Sequence, residues 1–296
     1  MDSVTILDGG MGQELLARTG AIPKPLWSAQ VMIDHPDVVR AVHDDYFAAG
    51  AEIATTNSYS VLHDRLVPEG LDHMFADLHR LACRMAAEAR DAHGHGRVAG
   101  SLGPLGWSYC PDLSPHWEQA AETYAEIVRL QVPAVDLLLI ETMASVDQAR
   151  GALAGTSVAN KPVWLAVTVD CRDGRRLRSG EEVTNIIPLA HEFAVDAILV
   201  NCSTPEATTR AIQEIAPRRD GLALGAYANG FAGIPEAFMT AGATADILEV
   251  RNDLDAGTYA DFADCWVDGG ATIVGGCCEI GPTHIREIAR RFGKRP

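Results

Sequence analysis

Short apolar segments recur along the chain, each followed by a stretch whose apolar positions return every three or four residues. The segments fall at 4–7, 52–55, 97–100, 137–140, 163–169, 197–200, 222–226 and 271–274. Several are unbroken apolar runs rather than alternating ones, the pattern of parallel strands covered on both faces. The stretches between them predict helices. Asp34-His35-Pro36-Asp37 supplies a cap and a helix-start proline ahead of Val38, Val42, Tyr46 and Phe47. Leu71, Met74, Phe75, Leu78, Leu81, Ala82 and Met85 form another apolar stripe, and Ser114-Pro115 introduces Ala121, Tyr124, Ile127 and Val128. Ser179 followed by Glu182 predicts a capping box before Ile186, Ile187 and Leu189. A last helix begins near Pro282 and carries Ile285, Ile288 and Phe292.

Eight strands with interleaved helices predict a (β/α)8 TIM barrel, one domain over residues 1–296. An open, doubly wound sheet is the alternative. Asp8-Gly9-Gly10-Met11-Gly12 contains G-x-G, but Leu15 stands where a dinucleotide fingerprint needs its third glycine. No tract rich in Pro, Gly and Ser divides the chain.

Charge narrows the range of partners. Asp and Glu number 40 against 24 Lys and Arg, a net charge of −16. Nucleic acid and anionic membrane surfaces would be repelled over most of such a protein, which leaves small molecules as the expected partners. The N-terminus lacks the basic stretch and apolar run of a signal peptide, and no window matches a membrane-spanning helix. The seven cysteines, at 83, 110, 171, 202, 265, 277 and 278, are an odd set containing an adjacent pair. They suit a reducing compartment better than a disulfide scaffold, so the expected location is cytoplasmic. Nothing in the sequence specifies an oligomeric state.

Polar residues stand where the apolar runs stop. The runs lead to Asp8-Gly9-Gly10, Thr55-Thr56-Asn57-Ser58-Tyr59, Ser101-Leu102-Gly103-Pro104, Glu141-Thr142, Asn201-Cys202, Tyr227-Ala228-Asn229-Gly230 and Gly275-Gly276-Cys277-Cys278. In a barrel these ends meet on one rim, where active sites are built. Cys277 and Cys278 could not reach one ion from a regular strand, whose neighbouring side chains point to opposite faces. Gly275-Gly276 frees the backbone to turn both sulfurs inward. With Cys202 they make a three-thiolate set suited to zinc (Zn2+) and not to magnesium or calcium, leaving a fourth position open as in catalytic sites. The competing reading of Cys202 is a buried thiol and that of Cys277-Cys278 is core packing or a redox pair, and Cys171, after the fifth strand, is the alternative ligand. Three thiolates around Zn2+ carry a net charge of −1, which favours keeping a further sulfur as a nucleophilic thiolate.

The remaining candidates form an amino-acid site. Asp8 and Glu141 would grip an ammonium group, against the competing reading of caps or loop ties. Backbone N–H groups of Gly9 and Gly10 would face a carboxylate. Trp27, Tyr59 and Tyr227 would surround a cationic donor, against ordinary packing. Asn229 either orients substrate or ties down its own turn.

Taken in order, these motifs, together with Leu26-Trp27-Ser28-Ala29 and Pro282-Thr283-His284-Ile285, resemble the homocysteine S-methyltransferase family over almost the whole chain. The resemblance implies a (β/α)8 barrel with zinc on Cys202, Cys277 and Cys278, and with Asp8 and Glu141 at the amino-acid end. It also implies methyl transfer to L-homocysteine from a sulfonium donor, S-methylmethionine or S-adenosylmethionine, with betaine or another thiol or selenol acceptor as alternatives. A barrel that binds zinc without catalysis is the reading from another class. The sequence departs from the family at Ala228, where proline is usual, at Glu279, where glycine is common, and at Phe231-Ala232-Gly233-Ile234.

Overall fold

The computed structural model describes residues 4–21 and 26–294. Eight strands lie in chain order: β1 (Thr5–Ile6), β2 (Ile53–Thr55), β3 (Arg97–Leu102), β4 (Leu137–Met143), β5 (Val163–Val167), β6 (Ala197–Asn201), β7 (Ala223–Tyr227) and β8 (Ile273–Val274). All paired neighbours run parallel, in the order β1-β8-β7-β6-β5-β4-β3-β2. A parallel bridge between Leu7 and Ile53 joins the two ends, backed by Glu52 N–H donating to the Ile6 carbonyl at 2.8 Å. The sheet is thus a closed barrel, not the open doubly wound alternative.

Strand periodicity explains the unbroken apolar runs. In β6, Ala197 and Leu199 join a cluster with Leu7, Ile53, Leu139 and Ala166, while Ile198 and Val200 join the larger cluster shared with the helices. One side fills the barrel and the other meets its helical coat, so neither can be polar.

The helices follow the sequence reading with local differences. The helix Pro36–Ala48 begins at its proline, but no side chain caps it; Asp34 instead accepts from Gln30 Nε2 at 2.9 Å, closing the preceding helix Ser28–Asp34. The expected capping box at Ser179 does not form. Its hydroxyl donates to Glu181 at 2.6 Å, and a 3-10 turn, Val183–Asn185, leads into the helix Ile186–Glu192. Side-chain caps occur instead at Ser145, Thr204 and Asp255.

Candidate active site

One cavity at the carboxyl ends of the strands is lined by residues from β1, β2, β3, β4, β6, β7 and β8 or the loops that follow them. Asp8, Gly9, Gly10, Trp27, Tyr59, Glu141, Cys202, Tyr227, Cys277 and Cys278 all line it; Asn229 does not.

The sulfur centre depends on two backbone departures. Cys202 has φ 46°, a left-handed conformation that turns the chain sharply at the end of β6. Its N–H donates to the Tyr227 carbonyl at 3.3 Å. Past β8, Gly276 N–H donates to the Asp8 carbonyl at 3.0 Å and Cys277 N–H to the Ala228 carbonyl at 2.9 Å. That loop is pinned to β1 and β7 at once. The ligand atoms of Cys202, Cys277 and Cys278 lie within 4.8 Å of one another. Cys202 and Cys277 are joined, S–S 2.26 Å and Cα–Cα 5.8 Å, whereas Cys278 is free. Cys171 stands apart, accepting from Arg178 Nη2 at 3.1 Å.

Chemistry of the donor set fits zinc. Three sulfurs on one wall are soft ligands, and tetrahedral coordination at about 2.3 Å per Zn–S bond would space them slightly under 4 Å apart. Burial pushes the Cys278 thiol up to about 12, with Glu279 adding to the rise. A positive ion at the centre is what would release such a proton near neutrality. The joined pair must be reduced before it can serve as two of the three ligands.

Two carboxylates occupy the floor of the same cavity, and each is held by hydroxyl or amide donors. Asp8 accepts from Thr55 N–H at 2.6 Å and from Thr55 Oγ1 at 2.8 Å. Glu141 accepts from Ser101 Oγ at 2.5 Å and Tyr227 OH at 3.1 Å. The register of β4 against β5 shifts between Ile140 and Met143, and Thr142 has φ 62°. Asn201 fixes that irregularity, accepting from Thr142 N–H at 3.1 Å and donating to Thr142 Oγ1 at 2.9 Å. A bulge of this kind re-aims the side chain beside it. Burial raises Asp8 to about 7 against the pull of its Thr55 hydrogen bonds, and Glu141's charge raises it further. Burial likewise raises Glu141 to about 7, opposed by Ser101 and Tyr227. No cation neutralises either carboxylate among the described residues, so the cavity is prepared for one from outside.

The sequence candidates separate on inspection. Gly10 N–H already donates to the Ile280 carbonyl at 2.9 Å, so it is not available to a carboxylate. Gly9 lines the cavity beside the start of the helix Met11–Thr19, whose N-cap is Gly10 and whose first-turn amides have no intrahelical acceptor. Tyr227 is tied to Glu141, and Trp27 donates its ring N–H to Gln13 Oε1 at 3.1 Å while meeting Tyr59 edge-on at 6.1 Å. Asn229 accepts from Phe231 N–H at 3.2 Å, and its N–H donates to the Ser203 carbonyl, which ties down its turn.

Sequence reasoning missed Ser101 as the partner of Glu141, and it missed Arg65, Trp107 and Tyr109 in the cavity wall. Ser101 stood within a quoted strand-end motif. The others lie in the segments that follow β2 and β3, whose only signal is that they come after a strand end.

The family model for homocysteine S-methyltransferase matches residues 5–292. The homocysteine S-methyltransferase of Escherichia coli (strain K12) is 29% identical, over 97% of this chain and 95% of that protein. YbgG of Bacillus subtilis (strain 168), named as the same enzyme, is 27% identical over 96% and 93%. The metallated crystal structure of the Escherichia coli homocysteine methyltransferase MmuM matches with a TM-score of 0.82 and 27% identity, over 98% of this chain and 96% of that one. A closed barrel of the expected strand order, with a match running almost from end to end, places this chain in the homocysteine S-methyltransferase family.

Proposed function

We propose that this enzyme transfers a methyl group from a sulfonium donor, S-methylmethionine or S-adenosylmethionine, to the thiolate of L-homocysteine, giving methionine. The observation that carries the reading is one cavity holding three convergent cysteine sulfurs and two buried, cation-free carboxylates. An amino acid with a sulfur at its far end has the matching polarity.

Cys202, Cys277 and Cys278, once reduced, would hold zinc, which when bound supplies the positive charge that keeps an acceptor thiol ionised near neutral pH. Asp8 and Glu141 bind the acceptor's ammonium, and Gly9 N–H with the amides of the first turn of Met11–Thr19 receives its carboxylate. These contacts leave the sulfur facing the donor methyl. Attack forms one C–S bond as the donor's C–S bond breaks, and the sulfonium leaves as a neutral thioether. No proton accompanies that departure, so the residues need only position the reactants, an effect worth roughly 7–11 kcal/mol when alignment is good. The apolar wall of Phe231, Phe238 and Leu248 keeps water from the transferring carbon.

Keeping these cysteines reduced would call for a reducing compartment, and the cytoplasm is the location we propose; no helix among the described residues is long and apolar enough to cross a membrane. Changing Cys202, Cys277 or Cys278 singly to Ala is expected to abolish zinc retention and homocysteine methylation together. The check is metal content beside methionine formation from each donor. A zinc-free variant methylating homocysteine at the normal rate would refute the reading.

A further inference from the structure

The cavity contains one cation that neither the metal centre nor the amino-acid floor uses. Arg65, in the short helix His63–Leu66 that follows β2, is only 5% exposed yet lines the cavity. It is the sole Lys, Arg or His among the described lining residues. Its Nε and Nη2 are buried with no hydrogen-bond partner, and no carboxylate of the described residues forms an ion pair with it. The neighbouring carboxylate of Asp64 accepts instead from Gly106 N–H at 2.5 Å. Aromatic faces, not anions, flank the guanidinium, whose central carbon lies 5.7 Å from the Tyr59 ring centre and 5.2 Å from that of Trp107. Cation–π attraction holds the guanidinium between these rings without spending its Nε and Nη2 donors. A buried charge in that state is costly unless a ligand completes it.

Two features decide which ligand. First, Arg65 lies over one face of each of Tyr59 and Trp107, so a sulfonium brought to that side of either ring would meet like charge. The donor's cation therefore lies elsewhere, and what faces Arg65 is an anion. Second, β2 and β6 stand four strands apart either way round the eight-stranded ring, so the segment that carries Arg65 leaves the ring from the strand opposite the one that ends at Cys202. The acceptor's sulfur is drawn to the cysteine wall and its polar end to the floor at Asp8 and Glu141. Arg65 belongs to the space left for the second substrate. Building on the methyl-transfer reading, we infer that Arg65 is a donor-specificity residue that binds the carboxylate of a carboxylate-bearing sulfonium, with the sulfonium methyl directed across the cavity toward the acceptor sulfur. A planar fork meeting a planar carboxylate gives two charge-assisted hydrogen bonds and sets the donor's direction as well as its affinity.

The test compares S-methylmethionine with its decarboxylated analogue, (3-aminopropyl)dimethylsulfonium, which keeps the same sulfonium and amine. With zinc-loaded wild-type enzyme, the carboxylated donor is expected to lead by about 100-fold in kcat/KM, the scale of a buried charge-assisted pair. In Arg65→Met the lead should shrink to a few-fold through KM for the donor, with KM for homocysteine unchanged. Arg65→Lys, which keeps the charge but not the fork, should fall between and covers a failure of the Met variant to fold. Retained donor preference in Arg65→Met, or a loss confined to homocysteine KM, overturns the inference. Calorimetric binding of the two sulfoniums separates this claim from the methyl-transfer reading. If wild type turns over neither donor, that reading fails. A binding preference abolished in Arg65→Met would still support the carboxylate site, and equal binding of both sulfoniums by wild type would overturn it.

Discussion

Recognition of the acceptor's ammonium should be titratable, because the carboxylates that would grip it are only partly ionised at neutral pH. Asp8 and Glu141 both stand near 7 in the free protein, and because they repel one another they titrate as a pair. Methionine, the product, isolates this effect, since its thioether does not ionise and its amino group stays protonated from pH 6 to 8. With an apparent value near 7, a carboxylate is roughly 9% ionised at pH 6 and roughly 91% at pH 8. An ammonium ligand that binds only the ionised form should therefore bind about tenfold more tightly at pH 8, steepening toward 100-fold if both carboxylates must ionise. The sign follows from the ligand's charge. A bound cation lowers the carboxylate's affinity for its proton, so the binding energy is present above pH 7 and lost as pH falls below it. At pH 7, binding should release about half a proton per carboxylate engaged. Calorimetry of reduced protein in buffers of different ionisation enthalpy measures both quantities. Glu141→Gln removes one partner of a desolvated pair, a change that typically costs about 2–5 kcal/mol, so methionine binding at pH 8 should weaken at least 30-fold. A wild-type Kd constant within twofold from pH 6 to 8, or a Glu141→Gln protein of undiminished affinity, would defeat the reasoning.

Other substitutions probe the parts separately. Tyr227→Phe deletes a hydrogen bond that favours ionised Glu141, so the midpoint of methionine binding against pH should move up by about one unit while the limiting affinity at high pH changes little. Gly10→Ala tests the packing beneath the sulfur loop. A Cβ there would stand 2.5 Å from the Cys277 carbonyl oxygen and 3.0 Å from Cys278 Cα, although φ −68° suits any residue. The loop must shift, and zinc affinity measured against a competing chelator is expected to drop about 10- to 100-fold, as when outer contacts of a metal site are lost. Wild-type affinity in that variant would show that the loop yields without consequence.

How much of this could be read from sequence depends on what kind of fact each residue represents. Strand positions were legible because burial on two faces leaves a local trace, an unbroken run such as Leu137 to Ile140. The rim positions of Asp8, Glu141 and Cys202 followed once those runs were taken as strands closing into a ring. Caps were less legible. Ser179 and Glu182 have the spacing of a capping box, but the hydroxyl donates to Glu181 instead, and spacing alone does not express that competition. The role of Gly10 misled for a related reason: a glycine-rich turn advertises exposed amides, while the Ile280 carbonyl that consumes one of them arrives from the far end of the chain. Long-range hydrogen bonds have no local signature.

Arg65 shows the same limit in a form that bears on specificity. In sequence it sits within Val61-Leu62-His63-Asp64-Arg65-Leu66, where an arginine beside an aspartate suggests a solvated pair on a helix face. Its significance comes from three negatives that only the fold supplies: it is not exposed, it is not paired with Asp64, and no other lining cation among the described residues shares its cavity. The aromatic rings that hold it come from loops after different strands, Tyr59 following β2 and Trp107 following β3. The motifs carrying family resemblance cluster around the three cysteines and the two buried carboxylates, where the acceptor would be held. Arg65, Trp107 and Phe231 lie in the segments that connect β2, β3 and β7 to their next main helices, where a barrel varies its chemistry without disturbing its strands. Selection of the donor is therefore the part of this activity that such motifs describe least and the three-dimensional wall describes best.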